Sequence, residues 1–130
     1  MSATVLAAAL LAAAPAEPSH TPAVDYALHC QGCHLVDGRA TPGSVPALSG
    51  TVARLARTPG GREYMARVPG VAQAPLGDAE LAALLNWVVQ RFGPVADFAP
   101  YGADEVGRLR AQPLVDVAAA RRALLGGDAH

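Results

Sequence analysis

The sequence predicts a small all-α domain, and three observations lead to this fold class. The stretch from Asp78 to Phe92 carries one apolar face at helical spacing, threonine-proline pairs that favour helix starts recur along the chain, and no strand-rich unit surrounds the two cysteines. The chain has 130 residues, of which only 5% are aromatic. One domain with a modest core of its own is therefore expected.

The first predicted helix leads into the cysteine pair. Thr21 is a suitable N-cap, and Pro22 suits the first helical position, where no backbone N–H is needed. Asp25 would lie in the first turn, where a negative charge is favourable. Tyr26 and Leu28 are expected to pack on the core.

Two short helices are predicted after a loop. Residues 35–50 are rich in Gly, Pro, Ser and Thr, which indicates an irregular segment. Thr51 is expected to cap the first short helix, and the Thr-Pro pair at 58–59 to begin the second. The Pro-Gly pair at 69–70 would end the second helix and leave residues 71–76 as an apolar loop.

The clearest predicted helix spans Asp78 to Phe92. Gly77 is the expected N-cap, Glu80 follows three residues later as in a capping box, and Gly93 with the next proline ends the helix. Its buried face follows from spacings of three and four residues: Leu81, Leu84, Leu85, Val88 and Phe92.

The C-terminal stretch predicts two further helices, Asp104 to Gln112 and Val115 to Leu125, separated by Pro113. Their narrow apolar faces are expected to dock back on the domain. A flexible tail or a partner-binding segment is the alternative. The last five residues, from Gly126 onward, are expected to be disordered.

Cys30, Cys33 and His34 form a Cys-x-x-Cys-His motif, which is typical of covalent haem attachment. Two thiols one helical turn apart can form thioethers on one edge of a porphyrin, and the next residue then lies under the metal. A thioredoxin-like dithiol is the alternative, but it belongs in a βαβ unit and gives the histidine no role. A bound haem would also complete the small core.

The N-terminus predicts export to the periplasm. Residues 5–14 form an apolar run too short to span a bilayer, and small residues at 14 and 16 form a cleavage site, so residues 1–16 are expected to be a signal peptide. No Lys or Arg precedes the run, which leaves an uncleaved membrane anchor as the alternative. Haem attachment to cysteines also requires reduced thiols outside the cytoplasm.

The charge balance indicates which partners to expect. The formal net charge is −1, and all ten basic residues are arginines. This balance argues against a nucleic-acid binder, which needs a basic face. Four arginines beside the motif are expected to bind haem propionates or an acidic protein partner, with simple surface solvation as the alternative: Arg39, Arg54, Arg57 and Arg62.

Three stretches, residues 26–34, 37–39 and 45–50, together with the helix from Asp78, resemble the small class I c-type cytochromes. The resemblance covers residues 24 to about 92. It implies a cytochrome c-like all-α fold in which the N- and C-terminal helices cross beside one covalently bound haem c.

The same resemblance implies a set of haem ligands. His34 is the proximal ligand, and the Pro46 carbonyl accepts a hydrogen bond from its second ring nitrogen, a contact that fixes the orientation of ligating histidines in general. The sixth ligand in the family is a methionine before the last helix. Met65 is the only methionine after signal cleavage, so it is expected to bind the iron. Three other candidates have less suitable positions: His29, His130 and Asn86.

These expectations combine into a function. A haem with both axial positions filled exchanges one electron with little rearrangement and has no place for a substrate. We therefore expect a periplasmic carrier of single electrons between an exported dehydrogenase and a downstream oxidase or cytochrome, and not an enzyme. The expected organisation is a signal peptide (1–16), a cytochrome c domain (17–95) and a helical C-terminal extension (96–130).

Two alternative functions follow from the same residues. If Met65 does not bind iron, the open position suits binding of a small gas or reduction of peroxide, with Asn86 or Gln73 as distal polar groups. The protein could instead be a subunit of a larger redox complex, with the C-terminal extension as its interface.

Overall fold

The structure is a computed structural model that describes residues 18–43 and 45–126. The predicted signal peptide and the final residues 127–130 lie outside the described part. Within it the chain forms helices and no strand, which confirms the all-α prediction. The elements are α1 (Pro22–His29), α2 (Gln31–His34), α3 (Thr51–Arg57), α4 (Gly61–Arg67), α5 (Pro69–Ala72), α6 (Asp78–Phe92), α7 (Ala103–Arg110) and α8 (Val117–Leu125). None of these helices is both long and apolar enough to cross a membrane.

Helix α6 is the centre of the fold, and its bounds are those predicted. The Gly77 N–H donates to the Glu80 carboxylate at 2.9 Å, so the glutamate satisfies a free donor at the start of the helix. All five predicted face residues are buried, and α1, α3 and α7 pack on this helix. The 3.6-residue repeat therefore identified the core helix correctly.

Helices α1 and α6 cross at an aromatic cluster. The Tyr26 ring lies 5.2 Å from Trp87 and 5.3 Å from Phe92, measured between ring centroids. Tyr26 is buried, as predicted, but Leu28 is 60% exposed and its predicted packing is wrong. Two residues along a helix turn the side chain by about 200°, so Tyr26 and Leu28 cannot share a buried face.

Two glycines allow the backbone to approach α6 closely. Gly38 has φ +76°, and a Cβ there would lie 2.6 Å from the Phe92 ring. Gly93 ends α6 against α3, where a Cβ would overlap the backbone of Ala53. The loop before α3 therefore packs directly on the C-terminal end of α6.

Glycines, and not the predicted threonines, begin α3 and α4. The N-caps are Gly50 and Gly60, with φ of +82° and +83°, and Thr51 is already helical. The Thr58 hydroxyl donates back to the Arg54 carbonyl at 2.8 Å, so it closes α3 and does not open α4.

The segment after α4 also differs from the prediction. Pro69 begins the short helix α5, because proline at the first helical position needs no backbone donor. The predicted loop at 71–76 is therefore helical in its first two residues.

The C-terminal helices pack against the rest of the protein, as expected. Helix α7 lies on α4 and α6, and α8 lies on α3 and α4. Val106 of α7 has no exposed surface. Helix α8 starts later than predicted, because Asp116 caps it by accepting from the Ala119 N–H at 2.8 Å, and Val115 is fully exposed.

Arg62, on α4, binds the C-terminal extension. Its guanidinium pairs with Glu105, donates to the carbonyls of Ala99 and Pro100, and lies 4.1 Å from the Tyr101 ring centroid. The ion pair, the hydrogen bonds and the aromatic contact of Arg62 all stabilise the packing of the C-terminal extension on α4.

Candidate functional site

The cysteine-histidine motif forms the short helix α2 directly after α1. Cys30 ends α1, and its carbonyl accepts from the backbone N–H groups of Cys33 at 3.1 Å and His34 at 2.9 Å. Both cysteines are free thiols; Cys33 is exposed and Cys30 is partly buried. The backbone thus presents two thiols and one imidazole from a single helical turn.

The environment of Cys30 argues against a redox dithiol. Burial raises the pKa of the Cys30 thiol to about 11, with smaller contributions from the negative charges of Asp25 and Cys33. A dithiol that attacks disulfides needs a lowered thiol pKa, and the described residues provide no βαβ unit. The described residues therefore provide neither the lowered thiol pKa nor the βαβ unit that a thioredoxin-like site needs.

The His34 ring is half buried, and its Nδ1 atom is buried without a hydrogen-bond partner of good geometry. Burial lowers the pKa of His34, while the backbone of Pro46 acts in the opposite direction. The Pro46 backbone therefore lies beside the ring, although Nδ1 makes no hydrogen bond that meets the usual geometric limits. A lowered pKa favours the neutral imidazole, which is the form that binds a metal.

Tyr26 fixes the end of the motif, a role that sequence reasoning treated as ordinary packing. Its hydroxyl donates to the Leu35 carbonyl at 2.6 Å. Leu35 has φ +55°, a backbone conformation that residues other than glycine rarely adopt, so the turn after His34 is strained. The hydrogen bond from Tyr26 holds this conformation in place. Burial raises the pKa of Tyr26 to about 12, which keeps the hydroxyl a donor.

An apolar cleft opens beside the motif. Cys30 and His34 line one part of it, and Leu48 from the loop lines another. The remaining walls are one face of α6 and residues from the segment 70–76, here called the wall segment. The cleft encloses about 60 Å³ and opens to solvent.

Arg110 of α7 holds the wall segment in place. Its guanidinium donates to the carbonyls of Ala72 at 3.0 Å, Ala74 at 2.6 Å and Leu76 at 2.7 Å, and it pairs with Asp78 at 3.1 Å. The side chain is only 16% exposed. The C-terminal extension therefore shapes the cleft, a role that no motif around Arg110 indicates.

The structure separates Met65 from the cleft. Met65 is 7% exposed and belongs to the hydrophobic core, and it is not among the residues that line the cleft. Its helix α4 packs mainly on α3, α5, α7 and α8. The sequence placed Met65 as an iron ligand because it is the one methionine after the expected cleavage site, and this remains a prediction.

The arginines predicted to face propionates or a partner have other contacts. Arg54 donates to the Leu125 carbonyl at 2.9 Å, and Arg62 binds the C-terminal extension as described. Arg39 pairs with the neighbouring Asp37 at 2.6 Å. Two of the four arginines, Arg54 and Arg62, thus hold the chain's own C-terminal part, and contacts with propionates or an acidic partner stay a prediction.

The residues present suit a covalent haem. Cys30 and His34 line an apolar cleft, Cys33 lies between them in the sequence, and the buried Nδ1 of His34 lies beside the Pro46 backbone. The donor set and the apolar lining therefore agree with the group that the motif predicts.

Comparison with known proteins identifies the family. No protein-family model matches the chain. Two curated proteins named cytochrome c-552, both from Thermus thermophilus, are each 37% identical over 106 aligned positions. The match covers 65% of this chain and 81% and 72% of the two relatives. The chain therefore belongs to the class I c-type cytochromes, monohaem electron-transfer proteins with covalently bound haem c.

Proposed function

We propose that this protein carries single electrons in the periplasm, from an exported dehydrogenase to a downstream oxidase or cytochrome. The observation that supports this most strongly is the single helical turn that carries Cys30, Cys33 and His34, of which Cys30 and His34 line an apolar cleft beside α6. No other described part of the chain combines thiols, an imidazole and an apolar cavity.

Each residue has a distinct task in the proposal. Cys30 and Cys33 form thioethers with the haem, and His34 binds the iron through Nε2. In the holoprotein the Pro46 carbonyl would accept from Nδ1 and keep the ring oriented. The bound haem supplies reversible one-electron chemistry.

The apolar walls of the cleft exclude water from the cofactor. Leucine and valine side chains of α6 form the largest wall. A dry site with fixed side chains needs little rearrangement when one electron arrives or leaves, which suits a carrier.

The finer parts of the proposal concern location and organisation. Residues 1–16 direct export, residues 17–95 form the cytochrome domain, and residues 96–130 form the extension that packs on it. A soluble fraction released from the periplasm should contain the red holoprotein. Recovery with the membranes would instead support an uncleaved N-terminal anchor.

A redox titration of the holoprotein tests the electron-carrier function. The protein is produced in a host that matures c-type cytochromes and titrated while its visible spectrum is recorded. We expect one reversible one-electron transition per chain. A covalent haem that cannot be reduced and reoxidised reversibly would contradict the proposal.

A matched pair of histidine variants tests the ligand assignment. His34→Ala should change the spectra of both redox states, because it removes the iron ligand. His29→Ala, five residues earlier on the neighbouring helix, should leave them unchanged. Equal spectra for the two variants would refute the role of His34.

A further inference from the structure

We propose that the buried carboxylate of Asp25 sets the reduction potential of the protein and holds it lower than the same cleft would give without this charge. The inference rests on the proposed attachment of haem to Cys30 and Cys33. It assigns an electrostatic role in electron transfer to a residue that the proposed function does not use.

Asp25 is an acidic residue in the core of the domain. It is 2% exposed and has the one charged side chain among the buried residues of the described part. Its Oδ1 atom is buried without a hydrogen-bond partner. Burial of an ionised carboxylate is costly, and packing alone does not account for an acidic residue at this position.

Two features favour the ionised form of Asp25. The residue lies in the first turn of α1, where the positive end of the helix dipole favours a negative charge. The Nδ1 atom of His20 lies 3.5 Å from Asp25 Oδ1, and among the described residues it is the only basic nitrogen within 4 Å of that carboxylate.

The surroundings of His20 keep this corner of the fold negative. The His20 side chain is 46% exposed, so water screens its charge much more than that of Asp25. A second carboxylate also faces this segment, because Glu80 at the start of α6 accepts from the Ser19 hydroxyl at 3.2 Å. Even with His20 protonated, two carboxylates stand against one imidazolium.

The charge of Asp25 acts on the cysteine-histidine motif. Cys30 follows Asp25 by five residues, a rise of about 7.5 Å along the helix. Asp25 contributes to the raised pKa of the Cys30 thiol, second only to burial. Tyr26, next to Asp25, lines the cleft and is itself 2% exposed, so little water screens the field there. The field of the carboxylate therefore reaches an atom that binds the haem.

The sign of the effect follows from the charges. A bound haem is one unit more positive in its ferric form than in its ferrous form, so a fixed negative charge nearby stabilises the ferric form and lowers the potential. With an effective dielectric constant of about 20, a unit charge changes an equilibrium constant about fivefold even at about 17 Å. We therefore expect an effect of at least this size.

A redox titration of the Asp25→Asn holoprotein at pH 8 tests the inference. The substitution removes the charge and keeps the shape of the side chain. The equilibrium constant for reduction should rise at least about fivefold, which is about 40 mV for a one-electron couple, with an unchanged visible spectrum.

Asp37→Asn is the matched control. This carboxylate comes three residues after His34, is 44% exposed and pairs with Arg39, so water screens its charge. Its removal should change the equilibrium constant for reduction by less than about twofold.

A second measurement uses the wild type alone. The carbon-13 chemical shift of the Asp25 carboxyl, recorded by NMR in the reduced holoprotein at pH 8, should be that of an ionised carboxylate. A protonated carboxyl would overturn the inference whether or not the asparagine variant folds.

The outcomes separate this inference from the proposed function. Equal potentials for the wild type and Asp25→Asn overturn the inference and leave the haem attachment standing. Equal shifts for the Asp25 and Asp37 variants would overturn the claim that burial gives the charge its effect. A chain without haem, or without a reversible one-electron transition, would contradict the proposed function itself.

Discussion

Replacing Arg110 with alanine removes the contacts that hold the wall segment. Three backbone carbonyls, those of Ala72, Ala74 and Leu76, lose a charged donor, and Asp78 loses its ion pair. Loss of a hydrogen bond to a charged group costs about 1.5–3 kcal/mol. Water can reach part of the site and the Asp78 pair is half exposed, so the contributions do not add fully. We expect a net loss of about 3 kcal/mol in the free energy of unfolding.

Thermal unfolding of the holoprotein, followed by circular dichroism, measures this loss. A loss of about 3 kcal/mol lowers the Tm of a domain of this size by roughly 10–20 °C. Arg110→Lys should recover only part of it, since an ammonium group cannot reach three carbonyls with the fixed geometry of a guanidinium.

Arg108 provides the matched control for Arg110. It lies on the same helix and is exposed, so Arg108→Ala should change stability by no more than about 0.5 kcal/mol. If the two alanine variants melt at the same temperature, the claim that α7 supports the wall of the cleft is refuted.

Two further predictions concern the docking of the extension and the packing on α6. The Arg62 guanidinium lowers the pKa of Glu105 below its ordinary value of 4.5, so this pair stabilises the fold above that value and stops doing so as the pH falls through the lowered pKa. Glu105→Gln should thus cost about 1 kcal/mol at neutral pH and nothing at the acid end of a stability titration, whereas a pH-independent difference would contradict the ion pair. Gly38→Ala should cost at least about 2 kcal/mol more than Gly43→Ala, because both have φ near +75° and only Gly38 faces the Phe92 ring; equal costs would refute the contact.

The parts of the fold that could be predicted are those determined locally. Helix α6 follows from the spacing of its apolar residues and from Gly77 and Glu80 at its start, and the structure has the same bounds. Helix α1 follows from Thr21 and Pro22, although the Thr21 side chain makes no capping hydrogen bond. The cysteine-histidine motif is equally local, because five consecutive residues contain the whole pattern.

Features set by contacts distant in sequence could not be predicted. Arg110 meets carbonyls more than 30 residues earlier in the chain, and Arg62 meets Glu105 43 residues later. Nothing in the neighbouring residues distinguishes these two arginines from exposed ones. The position of Met65 is also a tertiary property, since a helix predicted from sequence does not reveal which neighbour its buried face meets.

Glycine caps were missed for a different reason. A threonine followed by proline is a frequent helix start. Here, however, Gly50 and Gly60 adopt positive φ, and this single residue joins the preceding loop or turn to the first turn of the helix. The favourable backbone conformation of glycine here outweighs the side-chain hydrogen bond that threonine could offer.

The central claim is that Cys30 and Cys33 bind one haem c covalently, and the intact mass of the protein tests it most directly. Protein from a host competent in cytochrome maturation should have the mass of the processed chain plus one haem after denaturation. A variant with both Cys30→Ala and Cys33→Ala should have the mass of the chain alone. A haem-free mass for the wild type from that host would contradict the account.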